Sequence, residues 1–350
     1  MTKTDSQILK GIAILFMLWH HLFWCDYYTH LYTSIGLMIH GMPLEQRIAE
    51  IVDPVPFFLI LSGYGLYKLY SQRRVSPLGW STFTSNLKRI LRVYIHYWIT
   101  LAIFVPIAGA VYGYRWFPGS MERLTYNVLG WYTSYNQDVW FLYPYAQMVI
   151  LSGLFYLFVR KVHWLVALAI GVFLNMVQFS WSDYSEMCYL THHAKPILLP
   201  FLLGMIMAKT VNFDRLRAFF RGRAWLAYAL LLAYCIFKLY AFRLQAFSAA
   251  VFIIFFASLP LHKTVSKVLA SVGRRSTSMW FIHSWFCHIL CQRFIYSAQY
   301  SILVFIVLIA VSYVCSMPID YAHSRLLRLV GLAKKQSPTV QTDTPEGTSR

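Results

Sequence analysis

Apolar runs of nearly membrane-spanning length recur along the whole 350-residue chain, and nothing else constrains its fold as strongly. A helix needs about 20 mostly apolar residues to cross the hydrocarbon of a bilayer. Ten segments approach that requirement, near 8–24, 52–70, 91–113, 139–159, 164–181, 195–208, 224–241, 245–261, 277–295 and 301–319. The sixth is short and interrupted by Pro196 and Pro200, and the stretch 31–50 reads as an interfacial helix. Only 13% of residues are charged, against about 25% in a soluble domain. The expected fold is therefore all-α, a polytopic helix bundle of about ten transmembrane helices. It forms one integral-membrane domain over 1–335, followed by a disordered tail over 336–350 that is rich in Ser, Thr, Pro and Gly. The first run contains Lys10 and lacks a small-residue cleavage site, so it reads as an uncleaved span.

A net charge of +18 would suggest nucleic acid in a soluble protein, but here it reads as orientation. Ten spans put both termini on one side. With that side cytoplasmic, 24 of the 31 Lys and Arg fall inside and 7 outside, as expected when basic residues collect on cytoplasmic loops. A nucleic-acid partner is not needed to explain the charge. The six cysteines form no CxxC pair; Cys25 and Cys188 could meet in an oxidising compartment, and the others lie in apolar runs.

The first span carries "ILFMLWHHLFW", with the ionisable pair His20 and His21 inside hydrocarbon. Such groups are costly there and mark function or a buried partner. Lys10 and His21 are eleven residues apart, which on a helix places them on one face about 16 Å apart. His20 is rotated by about 100° from that face. A cation at the inner interface suits an anionic, phosphorylated donor, and a neutral imidazole deeper in suits a general base acting on a hydroxyl. Against this stands the plainer reading, in which Lys10 snorkels to headgroups and the histidines pack between helices.

Other spans add candidates. Arg89 and Arg92 are spaced i,i+3 on one face and suit phosphate, though interfacial arginines also anchor topology. In the ninth span His283, Cys287 and Cys291 recur every four residues, with His288 alongside. His192 and His193 form another pair in an outer loop. No metal-site spacing such as H-E-x-x-H accompanies either group, so no metal is expected. Ser62, Gly63 and Gly65 permit close helix approach and make no nucleophile elbow. The outer loop 115–140 is rich in aromatics, which can stack on sugar rings or simply sit at the membrane interface.

Taken in order, several stretches resemble the integral-membrane acyltransferase 3 family across about 8–320. "KGIAILFMLWHH" resembles its first-helix pattern of a basic residue, ten residues and a histidine, mapping to Lys10 and His21. "PFFLILSGYGL" resembles its second-helix signature, and "RILR" its RxxR motif at Arg89 and Arg92. "WFLYPYAQM", "LLPFLLGMIMA" and "VGRRSTSMWFIH" resemble later stretches, the first starting at Trp140 and the last placing His283. Members often carry an acidic residue three before the basic one; Gln7 holds that place here, leaving open which group polarises His21.

The resemblance implies a bacterial inner-membrane enzyme. It would move an acyl group, usually acetyl, from cytoplasmic acetyl-CoA to a hydroxyl of a surface polysaccharide or its lipid-linked precursor. His21 would be the catalytic residue and Lys10, Arg89 and Arg92 the CoA-side cations, with His20, Trp140 and His283 in support. The implied partners are a glycan or glycolipid acceptor, membrane lipid and the polysaccharide biosynthesis machinery. The rival reading is a proton-coupled transporter or a glycolipid flippase. The acidic residues lie at span ends, in loops or in the tail, with Asp138 the nearest exception, which disfavours a carboxylate relay.

Overall fold

A computed structural model describes residues 1–72, 76–176, 186–240 and 245–333, with side chains left undescribed at Asp26 and 186–196. Among the described residues the chain is almost entirely helical: α1 (Lys3–Phe23), α2 (Leu44–Ile51), α3 (Pro54–Gln72), α4 (Trp80–Tyr112), α5 (Met121–Leu129), α6 (Leu142–Lys161), α7 (Trp164–Met176), α8 (Glu186–Thr210), α9 (Phe213–Phe220), α10 (Ala224–Tyr240), α11 (Gln245–Phe256), α12 (Lys263–Arg274), α13 (Ser276–Ser284), α14 (Gln292–Tyr296) and α15 (Ser301–Leu329). A two-stranded antiparallel pair, β1 (Met38–Ile39) and β2 (Met42–Pro43), is the sheet described.

Every one of the ten apolar segments contains helix. Among the described residues five stretches are long and apolar enough to cross a membrane: Lys3–Phe23, Leu44–Gln72, Trp80–Tyr112, Gln137–Lys161 and Ser301–Leu329. A sixth is the bent pair Ile197–Thr210 and Phe213–Phe220, which turns by 71°. Helices α7, α10 and α11 are apolar but shorter.

Several boundaries move. The stretch 31–50 is mostly not helical: it holds the β-pair, and only its last residues enter α2. The segment leading into the third span is helix from Trp80, because the mixed "STFTSNLKR" run is too polar for a hydropathy window yet has nothing that breaks a helix. Helix α15 likewise runs on to Leu329, which puts Asp320 inside a helix rather than at its end. The tail 336–350, His192, His193 and Cys188 lie outside the described residues or side chains; Cys25 is a free thiol.

Helix α1 joins two apolar cores. Leu9 and Ala13 enter a core built mainly by α3, α6, α8 and α11. Ile14, Met17, Leu18 and Leu22 enter another built by α4, α13 and α15. Small residues set how closely its neighbours approach. A methyl group on Gly11 would overlap the Leu269 carbonyl, and one on Gly273 would overlap the Gln7 carbonyl, so α1 and α12 meet backbone to backbone. Gly63 makes the same kind of contact with Phe201 of α8, whereas Gly65 faces open space. The N-terminus of α1 is fixed by a capping box between Thr2 and Asp5 and by an ion pair from Asp5 to Arg217 of α9. A central helix held at both faces and at its start gives His21 a fixed place.

Candidate active site

His21 lies in the last turn of α1, with 13% of its side chain exposed. Its Nδ1 is 2.6 Å from Nε2 of His283, and the two rings stack with centroids 4.8 Å apart. Its Nε2 is 3.4 Å from Oδ1 of Asp138. His283 is fully buried in α13. Asp138 sits in a short turn, Gln137–Val139, just before α6. Three distant parts of the sequence thus converge on one imidazole.

Each partner is held in turn. Nδ1 of His283 donates to the Trp280 carbonyl at 2.8 Å and reaches the Met279 carbonyl at 3.1 Å. The Ser284 hydroxyl donates to Oδ2 of Asp138. The Trp280 indole N–H donates to the Asp138 carbonyl at 3.0 Å, and the Asp138 amide donates to the Asn136 side chain at 3.2 Å. Phe141 stacks on Trp280 at 4.1 Å, closing the apolar side of this joint.

These partners decide where the protons sit. Carbonyl oxygens only accept, so Nδ1 of His283 carries a proton and, in the neutral ring, Nε2 is an acceptor. Nδ1 of His21 then donates to it, leaving Nε2 of neutral His21 with a lone pair. When that Nε2 takes up a proton, Asp138 is the carboxylate beside it. The arrangement makes Nε2 a base whose protonated form meets an anchored anion.

The other expected residues are placed as follows. His20 turns away, and its Nδ1 donates to the Ala49 carbonyl of α2 at 2.6 Å. Lys10 is half-buried eleven residues earlier on α1, about 16 Å along the axis from His21. Arg89 and Arg92 are half-buried on the first half of α4, and Nε of Arg92 donates to the Leu332 carbonyl at 2.8 Å. One turn further on, His96 packs on Phe281 of α13, with centroids 5.9 Å apart, and its Nε2 is 2.7 Å from the Ser278 hydroxyl. Asp320 receives that hydroxyl and, at 2.8 Å, Arg275. The arginine-bearing helix is thereby tied to the helix that carries His283. Trp140 is half-buried at the junction of the two cores and packs on Phe141 at 5.9 Å; its neighbour Phe141 makes the contact with α13.

His21, Asp138 and His283 each offer a ligand atom within 4.8 Å of the others and so could gather around a metal ion. The 2.6 Å separation between the two imidazole nitrogens is a hydrogen-bond distance, shorter than the spacing of two ligands around tetrahedral zinc, about 3.3 Å from bond lengths near 2.0–2.1 Å. The fourfold stripe read from the sequence does not survive either, because Trp285–Leu290 forms a π-helical turn that breaks its spacing.

A family model for an acyltransferase domain matches residues 5–321, nearly the whole described chain. The chain belongs to the acyltransferase 3 family. It is a multi-pass membrane protein of an acyl-transferring family. No curated protein and no solved structure matches it significantly.

Nothing in the sequence singles out Ser284 or Trp280, and Asp138 stands out there only as an acidic residue near a span. A carboxylate directly ahead of "VWFLYP" at a span mouth was the available signal.

Proposed function

We propose that this protein transfers an acetyl group from acetyl-CoA to a hydroxyl of a surface polysaccharide or its lipid-linked precursor, with His21 as the catalytic base. In this reading ten spans cross a bacterial cytoplasmic membrane with both termini inside. Acetyl-CoA approaches the inner face, its phosphates near Lys10, Arg89 and Arg92, and the acceptor approaches from the far end of α1. The observation that carries the reading is the clamp on His21, with one ring nitrogen tied to His283 and the other facing Asp138.

The steps follow from that clamp. Nε2 of His21 removes the proton of the acceptor hydroxyl as its oxygen attacks the thioester carbonyl. The imidazolium so formed pairs with Asp138, whose orientation Ser284 maintains. The carbon–sulfur bond then breaks, and the proton on Nε2 passes to the departing thiolate, giving the O-acetyl ester and free CoA thiol. His283 holds the tautomer and ring plane of His21 throughout, as in other base–orienter pairs. No metal is needed for these steps. The enclosing bundle keeps bulk water from the thioester.

Thiol release from acetyl-CoA by membrane vesicles carrying the wild type, His21→Ala or His20→Ala tests the proposal. Loss confined to His21→Ala is the expected result. Release indifferent to His21 would sink the mechanism and bring the transporter reading forward.

A further inference from the structure

Beyond the clamp, a second imidazole near the C-terminal end of α1 is left unused by the proposed chemistry. His288 stands on the π-helical turn Trp285–Leu290, one extra residue per turn that swings it out of register with His283. Its ring lies edge-on to His21 with centroids 6.3 Å apart. Tyr28, in the segment that follows α1, stacks on its face at 5.1 Å and is itself backed by Tyr296 at 6.2 Å. The Tyr296 hydroxyl donates to the Leu22 carbonyl at 3.0 Å, next to His21 in the chain, so the plane of His288 is fixed relative to His21. Yet Nδ1 of His288 is buried and has no hydrogen-bond partner among the described residues. A buried ring nitrogen without a partner is unfavourable, and a ligand hydroxyl that bonded to it would remove that cost.

The position selects the ligand. Tyr28 follows the C-terminal end of α1, so His288 lies on the side of His21 away from Lys10. We infer that Nδ1 of His288 binds a second hydroxyl of the acceptor, adjacent to the one His21 deprotonates, and so makes the site selective for vicinal diols such as those of a sugar ring. This rests on the acyl-transfer reading and adds the group that recognises the acceptor. A two-point grip on neighbouring hydroxyls disfavours simple alcohols, because one lacking the second hydroxyl leaves the buried nitrogen unpaired.

Octyl β-D-glucoside below its micelle concentration and 1-octanol, as vicinal and single-hydroxyl probes with the same alkyl chain, test the inference. Purified protein in liposomes receives acetyl-CoA, and octyl acetate, acetylated glucoside and free thiol are measured. The wild type is expected to acetylate the glucoside in preference to octanol. His288→Phe should lower the glucoside-to-octanol ratio of kcat/KM about tenfold, with the KM for acetyl-CoA unchanged. His288→Asn, whose amide occupies the place of Nδ1, should restore most of the preference, and His288→Gln should not. Glucoside acetylation unaffected in His288→Phe, or lost equally in a folded His288→Asn, overturns the inference. Thiol release without transfer to either probe by the wild type also overturns it. Absence of any thiol release overturns instead the acyl-transfer reading beneath it.

Discussion

Replacing Asp138 by Asn removes the negative charge facing Nε2 of His21 and keeps the shape of the side chain. The charge matters only once His21 has taken a proton, which on the proposed path is at and after the transition state. At the 3.4 Å separation seen here, Coulomb's law with an effective dielectric constant near 20 gives about 5 kcal/mol between imidazolium and carboxylate. Solvent at the partly exposed carboxylate, 22% exposed, and its hydrogen bond from Ser284 reduce the share felt by His21. A loss of about 3 kcal/mol is therefore expected, or about 10²-fold in rate at 1.36 kcal/mol per decade. The effect should fall on kcat, because Asp138 lies at the His21 end of α1 and not among the cations proposed to hold the donor phosphates. The assay is initial-rate thiol release from acetyl-CoA over a range of donor concentrations, with wild type and Asp138→Asn reconstituted side by side. A variant within threefold of the wild-type kcat, or one that changes only the KM for acetyl-CoA, would refute the role given to this carboxylate.

Three further outcomes follow from the same structure. His20→Ala should keep acyl transfer within a few-fold of wild type but lower thermal stability, since the Ala49 carbonyl loses its donor at a cost of about 1–3 kcal/mol; activity and melting of the detergent-solubilised protein check both. Gly273→Val should lower the melting midpoint by at least the 1–3 kcal/mol typical of overpacking, because its side chain meets the Gln7 backbone carbonyl, which has no rotamer with which to move aside. Prolonged treatment with EDTA should leave acyl transfer unchanged, and loss of activity restored by zinc would place a metal among His21, Asp138 and His283 instead.

The two ends of the site were unequally legible in the sequence. Helical phase alone separated His21 from His20, and in the structure the two rings do point to different neighbours. Apolar runs marked the helices because burial and lipid both demand them, but polar helix ends such as Trp80–Lys88 were invisible to hydropathy. Asp138 was harder to find. It lies 117 positions from His21 in a short turn, and only packing of that turn against α13 through Trp280 brings it close. His283 was visible as a histidine in an apolar run. Its orientation was not, because its Nδ1 is committed to carbonyls of its own helix, and no spacing rule announces that. The π-helical turn that re-aims His288 left no signature in "WFCHIL".

The central claim is that His21 catalyses formation of an oxygen ester. Its most direct test is the transfer of radiolabelled acetyl from acetyl-CoA into glycan or glycolipid by inverted membrane vesicles, followed by mild alkali, which cleaves O-esters and spares amides. Wild-type vesicles are predicted to incorporate alkali-labile label, and His21→Gln, expressed to the same level, to fall by about 10²–10⁴-fold, the usual contribution of a positioned base. Equal alkali-labile incorporation by the two, or label that resists alkali in the wild type, would contradict it.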